Sequence, residues 1–405
     1  MSKQLGKKLG TKLILGITGG IAAYKSAELV RLLVKAGIDV QVVMTASACQ
    51  FIAPLTMQAL SGKPVLTTMW GENPSDSGMP HIELSRQADA ILIAPASANF
   101  IAKLVHGHAD DLLSTLCLAR ECALLVAPAM NKQMWENPAT QRNLAQLKAD
   151  GIEVFGPDSG EQACGEVGLG RMLEAVDLFS LITAHFTPKL LAGKHVLITA
   201  GANLEMIDPV RAITNLSSGK MGFSLAEAAR DMGATVTLVR GASALPSPSG
   251  IQVIEALSAD AMYQAVMQNI APKNLAAQDI FISVAAVADY SPNTISPNKI
   301  KKSEGLLSLE LHKNKDILSE VASLPNAPFC VGFAAESEHL IEHAQEKRLR
   351  KKLPLIVANL VADGMGGDEN LVTLIDDLGS HPLPKADKNI IAHEILHHVY
   401  RLISA

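Results

Sequence analysis

One pattern occurs twice in this chain: a short apolar run ends at glycine, a helical stretch follows, and a second apolar run comes next. The first copy is Lys12-Leu13-Ile14-Leu15-Gly16-Ile17-Thr18, then Gly19-Gly20, a helical pattern over 22–35, Gly37 and a run from Asp39 to Met44. The second begins at Lys194-His195-Val196-Leu197-Ile198-Thr199 and crosses a loop containing Gly201. It continues through a helical pattern over 221–232 and a run over 234–239. Strand, loop, helix, strand is the opening of a parallel sheet, because parallel neighbours can be joined only by a crossover. Two openings in 405 residues predict an α/β chain of two Rossmann-like doubly wound domains. The Thr187-Pro188-Lys189-Leu190-Leu191-Ala192-Gly193 stretch is the expected boundary, giving domains 1–190 and 191–405. The halves share no sustained identity, so this is a recurring architecture and not a repeat array.

Composition narrows the function. A formal charge of −5 offers no general attraction to nucleic acid, so none is expected as a partner. The five cysteines form no CxxC pair, which argues for reduced thiols in a cytoplasmic protein and against a zinc or disulfide framework. The start, Met1 to Gly10, is polar and basic with no apolar core, and no uncharged run is long enough to span a bilayer. Neither export nor membrane insertion is expected.

Further buried strands are expected at Ala90–Ala94 and Ala123–Ala127, each ending in proline and small polar residues, where such sheets bind ligands. The Gly19-Gly20 loop lacks the full GxGxxG spacing, and no acidic residue ends the second strand. It serves either as a tight turn or as a one-phosphate cradle at a helix start. Ser26, Thr45 and Ser47 are hydroxyls near these strand ends, available as phosphate donors or as caps. Pro95-Ala96-Ser97-Ala98-Asn99 and Pro128-Ala129-Met130-Asn131-Lys132-Gln133-Met134-Trp135 follow the third and fourth strands. Between residues 156 and 170 lie five glycines with Cys164 among them, a composition suited to a lid. His106 and His108 beside Asp110 and Asp111 read as a solvated segment in preference to a metal site.

These segments resemble the flavin-dependent cysteine decarboxylases, with Phe100 standing where that family has Thr. The Cys164 segment resembles the clamp of the phosphopantothenoylcysteine decarboxylases. The resemblance implies a flavodoxin-like first domain with FMN at the strand ends, near Gly19, Gly20, Ser26, Thr45, Ser47, Ser97 and Asn99. It implies thiol oxidation, loss of CO2 and re-reduction. His81, expected in a loop, acts as base; Asn131 holds the substrate carboxylate; and Cys164 donates the proton.

In the second half, Asn215-Leu216-Ser217-Ser218-Gly219-Lys220-Met221-Gly222 joins small residues to a lysine at a helix start, a setting for oxyanions. Lys299-Ile300-Lys301-Lys302 sets three ammonium groups close together, just after Ala285–Tyr290. Strands are expected at 280–284, 329–333 and 355–358. With Asp208–Asn215, these segments resemble phosphopantothenate–cysteine ligase, and the bacterial form is fused to the decarboxylase in this order. Ala202-Asn203-Leu204 departs from the family's Thr-Arg before Glu205. The resemblance implies CTP with Mg2+, and an acyl-cytidylate made from 4'-phosphopantothenate and attacked by L-cysteine. Ser217, Ser218, Gly219, Asp289, Phe333, Lys347 and Lys351 then contact the nucleotide. Lys299 follows the nucleotide in, while Arg211 and Asn215 serve the acyl-cytidylate. Lys347 and Lys351 are expected on one helix face. The family implies trimers of first domains and dimers of second domains. An NAD(P)-dependent reductase and a non-catalytic regulatory flavoprotein are the competing readings; the missing dinucleotide fingerprint opposes the first, and His81, Asn131 and Cys164 oppose the second.

Overall fold

The computed structural model describes residues 11–69, 80–270, 277–301, 307–364 and 367–404. The chain's basic start, Gly78-Met79 and Lys302 lie outside these. Two compact units divide the chain, Met1–His185 and Phe186–Ala405.

The first unit contains β1 (Lys12–Ile17), α1 (Ala23–Lys35), β2 (Asp39–Met44), α2 (Pro54–Ser61), α3 (Pro80–Gln87), β3 (Ala90–Ala96), α4 (Ala98–His106), α5 (Leu112–Ala119) and β4 (Ala123–Pro128). It continues with α6 (Lys132–Glu136), α7 (Pro138–Ala149), β5 (Glu153–Val154), β6 (Asp158–Glu161) and β7 (Val167–Arg171), and α8 (Ala175–Phe186) follows. Five strands make a parallel sheet in the order β2-β1-β3-β4-β5, the flavodoxin-like winding. Every residue of β3 is buried, as a central strand covered on both faces must be. Strand order reverses between β1 and β3, and the crevice at such a reversal is where doubly wound folds bind ligands.

The second unit begins with β8 (His195–Ala200), β9 (Glu205–Asp208), β10 (Arg211–Ile213), α9 (Lys220–Asp231), β11 (Thr235–Arg240), β12 (Gln252–Glu255), α10 (Ala259–Ile270), β13 (Ile280–Ser283), β14 (Tyr290–Pro292) and β15 (Leu311–Lys313). Then come α11 (Ile317–Ala322), β16 (Phe329–Glu336), α12 (Leu340–Arg350), β17 (Leu355–Leu360), α13 (Val361–Gly364), β18 (Glu369–Asn370), β19 (Thr373–Asp376), β20 (Gly379–Pro382), β21 (Ala386–Asp387) and α14 (Lys388–Ser404). The sheet order is β12-β11-β8-β13-β16-β17-β19-β20. The first six strands run parallel in the dinucleotide-fold order, while β19 and β20 add an antiparallel edge. Val196 and Ile198 of β8 face one core with α9 and α14, while Leu197 faces the other with α10 and α12. That alternation of apolar residues explains why each central strand reads as an unbroken apolar run.

α9 sits unusually close to β8. A Cβ on Gly222 would lie 2.5 Å from Ala200 Cβ, so only glycine lets the helix start over the strand's carboxyl end.

Candidate functional site

In the first unit, Thr18 Oγ1 donates to Pro95 O at 2.7 Å and accepts from Ser97 N at 3.0 Å, tying together the ends of β1 and β3. Gly19 packs on Ser47, where a Cβ would come within 2.5 Å of Ser47 Cβ; Gly20 faces open space. Thr45 Oγ1 accepts from Ala48 N at 3.2 Å. Ser97 caps α4 through Phe100 N, and Asn99 is exposed in the first turn. Phe100 is buried, so the position that departs from the decarboxylase pattern serves the core. Ser26 differs from the sequence reading: it is fully buried and its hydroxyl proton goes to Ala94 O at 2.7 Å, joining α1 to β3. The α1 N-terminus has no capping side chain and no acidic residue in its first turn, and Ile21 and Tyr24 beside it are both 63% exposed. An uncapped helix start flanked by exposed apolar side chains fits a phosphate-bearing aromatic cofactor.

His81 is not in a loop. It stands, half-buried, in the first turn of α3, whose opening proline is at the position where a missing N–H is harmless.

The glycine-rich segment folds as the antiparallel β6–β7 hairpin, with Cys164 exposed at its turn. The hairpin docks on the loop after β4: Met130 N donates to Gly170 O at 2.9 Å and Lys132 N to Gln162 Oε1 at 3.0 Å. A Cβ on Gly170 would lie 2.4 Å from Met130 O, and Gly170 has φ of +134°. Docking brings together two residues that the sequence reading placed in separate motifs. Asn131 caps α6 through Met134 N, and its amide donates to Glu166 Oε2 at 2.6 Å; Cys164 Sγ lies 3.7 Å from the same oxygen. Gln133 Nε2 donates to Glu166 Oε1 at 2.7 Å. Glu166 and Gln133 were not singled out from sequence, although both sit two residues from a motif residue that was.

In the second unit a cavity opens at the carboxyl ends of β8, β13 and β16, lined by Gly201, Ser217, Ser218, Gly219, Lys220, Ala286, Phe333, Asn359 and Lys388 among others. Ser217 to Gly219 lead into α9, as the sequence pattern predicts. Asn215 donates to Ala286 O and accepts from Ser217 N at 3.1 Å, holding that loop to the end of β13. Lys220 pairs with Asp368 at 2.6 Å. Lys388 is buried and donates to Gly364 O at 3.0 Å and Gly367 O at 2.6 Å. Burial, followed by the nearby Lys220 charge, holds the Lys388 pKa below the ordinary lysine value. Nothing in its local sequence signals this, because Lys388 reaches the cavity from the start of a distant helix.

Lys347 and Lys351 lie one helical turn apart, with Lys351 N donating to Lys347 O at 3.1 Å, and each side chain has its own partner. Lys347 lies in α12 and donates to Phe333 O at 2.9 Å, whereas Lys351 falls past the helix end and pairs with Asp316 at 2.6 Å. Burial and then Lys351 lower the pKa of Lys347. Arg348 between them is buried and donates to Leu353 O and Asp377, while Glu346, Arg350 and Lys352 are exposed. Asp289 is exposed in the turn before β14, and Lys299 is exposed; neither lines the cavity. Arg211 is held by buried Asp208, which also accepts from Ile300 N at 3.1 Å, while Arg211 donates to Ile300 O at 3.0 Å. The Arg211 hydrogen bond, then backbone N–H donors, push the Asp208 carboxyl far below the usual range. Arg211 and Asp208 therefore pin the peptide next to Lys299.

Two clusters resemble metal sites. Asp110 and Asp111 are both engaged by Lys103, at 2.7 and 2.9 Å. Asp376 lies between His381 at 3.1 Å and His398 at 2.7 Å. Arg401 can only donate to His398 Nδ1, at 3.0 Å, which places the ring proton on Nε2, facing Asp376. A metal on Nε2 would set a proton on Nδ1 against that guanidinium, so the cluster is a hydrogen-bonded clasp between β19, β20 and α14.

The chain is 49% identical to the coenzyme A biosynthesis bifunctional protein CoaBC of Vibrio cholerae, over 96% of this chain and 98% of that one. The protein of the same name in Escherichia coli is 44% identical over 96% of each chain. The family model of the DNA/pantothenate metabolism flavoprotein C-terminal domain matches residues 191–402, and the flavoprotein family model matches 1–187. This chain belongs to the CoaBC family. It is a bifunctional coenzyme A biosynthesis enzyme, with a flavoprotein decarboxylase unit followed by a ligase unit. A crystal structure of the C-terminal domain of a CoaBC protein is 36% identical, with a TM-score of 0.46, and covers 53% of this chain and 98% of that chain.

Proposed function

We propose that the second unit condenses 4'-phosphopantothenate with L-cysteine at the expense of CTP, through an acyl-cytidylate. The first unit then decarboxylates 4'-phosphopantothenoylcysteine to 4'-phosphopantetheine with FMN. The observation that carries the reading is the docked hairpin, which sets the Cys164 thiol beside the Asn131 amide at the carboxyl end of β4. A decarboxylase needs both: a donor to the carboxylate, and an acid at the carbon the carboxylate leaves. FMN, when bound, supplies the two-electron oxidation and its reversal, which give that carbon an electron sink. His81 is assigned the thiol proton in the oxidation.

In the ligase, the α9 N-terminus, Ser217, Ser218 and Gly219 face the triphosphate, with Lys220 and Lys388 adding charge at the same cavity. Asp289, Phe333, Lys347 and Lys351 are assigned to the nucleotide, Arg211 and Asn215 to the acyl-cytidylate, and Lys299 to the loop that follows the nucleotide. Mg2+, when bound, would neutralise charge on the triphosphate. Assembly through trimers of first units and dimers of second units, in the cytoplasm, belongs to the same proposal. No helix among the described residues is long and apolar enough to cross a membrane.

Supplied with 4'-phosphopantothenate, cysteine and CTP, the FMN-loaded protein should release pyrophosphate and CO2 together, with ATP a poor substitute. Equal or greater turnover with ATP would overturn the nucleotide assignment, and pyrophosphate without CO2 would overturn the first unit's.

A further inference from the structure

Glu166 is a carboxylate held in a fork of two neutral amides. Asn131 Nδ2 reaches Oε2 at 2.6 Å and Gln133 Nε2 reaches Oε1 at 2.7 Å, one donor for each oxygen. The fork is rigid. Asn131 Oδ1 accepts from Met134 N at 3.1 Å, which sets the amide plane, and Asn131 Nδ2 also meets Gln133 Oε1 at 2.5 Å. Among the described residues no lysine or arginine pairs with Glu166; its side-chain partners are the two amides and, at 3.7 Å, the Cys164 thiol.

Glu166 comes from a different element. It ends the turn of the β6–β7 hairpin, directly after Gly165, whose φ is +83°. Gly170 O accepts from Met130 N, and Gln162 accepts from Lys132 N through its side chain and donates its own N–H to Glu166 O at 2.8 Å, so the backbone of the turn is held. The Glu166 side chain can swing out about its own bonds while the hairpin stays docked, and the fork would be left with two donors and no acceptor.

We propose that Asn131 and Gln133 together form the seat for the substrate's carboxylate, with Gln133 as its second donor, and that Glu166 is the seat's resting occupant. This rests on the decarboxylase reading of the first unit. Cys164 Sγ lies 3.7 Å from the occupant's oxygen, next to where a seated carboxylate would place its carbon. Substrate displaces Glu166 with a carboxylate of its own. Product has lost that group, so Glu166 returns to the fork and nothing of the product competes with it. Glu166 therefore weakens binding of the carboxylate-bearing substrate and leaves binding of the product unchanged.

The test uses full-length, FMN-loaded protein and two ligands that cannot be oxidised: the S-methyl ethers of 4'-phosphopantothenoylcysteine and of 4'-phosphopantetheine, which differ only in the carboxylate. Binding is followed by calorimetry. A seat blocked about nine-tenths of the time weakens apparent affinity about tenfold, so Glu166→Gln and Glu166→Ala should bind the carboxylate ligand about tenfold more tightly. Gln133→Leu should weaken it. The carboxylate-free ligand should bind all four proteins alike. If both ligands shift together, or if the Glu166 variants leave the carboxylate ligand unchanged or weaker with flavin content and melting intact, the proposal fails. Failure of the wild-type protein to release CO2 from 4'-phosphopantothenoylcysteine would instead sink the decarboxylase reading beneath it.

Discussion

A thiol and a hydroxyl have nearly the same shape at position 164, but a hydroxyl is a far weaker acid. Cys164→Ser should therefore leave FMN binding and thiol oxidation intact and stop protonation at carbon. The expected result is one release of CO2, a bleached flavin and a product two hydrogens short of 4'-phosphopantetheine; normal turnover would leave Cys164 only a steric role. Lys347 yields a second prediction. Burial and the neighbouring Lys351 lower its pKa, so its ammonium loses its proton at a lower pH than an ordinary lysine. If it holds CTP, the KM for CTP should rise on the alkaline side, and Lys347→Arg, which stays protonated, should flatten that rise. At this scale the sequence was legible where a motif carries its own contacts. Ser97 capping Phe100 N and Asn131 capping Met134 N are local bonds. Glu166 with Gln133, and Lys351 with Asp316, meet only because distant segments fold together.

The close seat of α9 on β8 makes a test at the scale of elements. Gly222→Ala places a methyl group 2.5 Å from Ala200 Cβ, so the helix must move off the strand. Overpacking of this kind costs about 1–3 kcal/mol, and it displaces the Ser217–Gly219 donors that precede the helix. Pyrophosphate release should fall and melting of the second unit should drop, while CO2 release from supplied 4'-phosphopantothenoylcysteine stays unchanged. The central strands could be read from sequence because burial on both faces makes them almost wholly apolar: β3 has no polar residue, β8 only His195 and Thr199, and β17 only Asn359. Short ribbons such as β9–β10, and the antiparallel edge made by β19 and β20, carry no such signal. Their residues are mixed, and they are ordered by neighbours such as Asp208 and the Asp376 clasp. His81 was misplaced for a related reason: the eight residues of α3 are too few to show a helical period.

Two separate sheets predict two separable chemistries in the whole chain. Asn215→Asp should reduce ligase turnover by about 10²–10³, the usual loss of one transition-state donor, and leave decarboxylation intact. Loss of both activities in a well-folded, FMN-loaded variant would refute the division. Acid stability should be set partly by the second unit's clasp. Burial alone would raise the Asp376 carboxyl, but hydrogen bonds from His398 and His381 outweigh it and hold the pKa down. A depressed carboxylate contributes stability above its unfolded value, about 3.9, and that stability is lost as pH falls through the folded value. Melting should thus decline below about pH 4 in the parent, and less steeply in Asp376→Asn. The division into Met1–His185 and Phe186–Ala405 on one polypeptide also has a consequence for supply. Each translated chain delivers one ligase site and one decarboxylase site, so expression cannot change their stoichiometry. The steady-state level of the intermediate made by one and consumed by the other is then governed by the ratio of two turnover numbers, a quantity that substitutions within either sheet can adjust and promoter strength cannot.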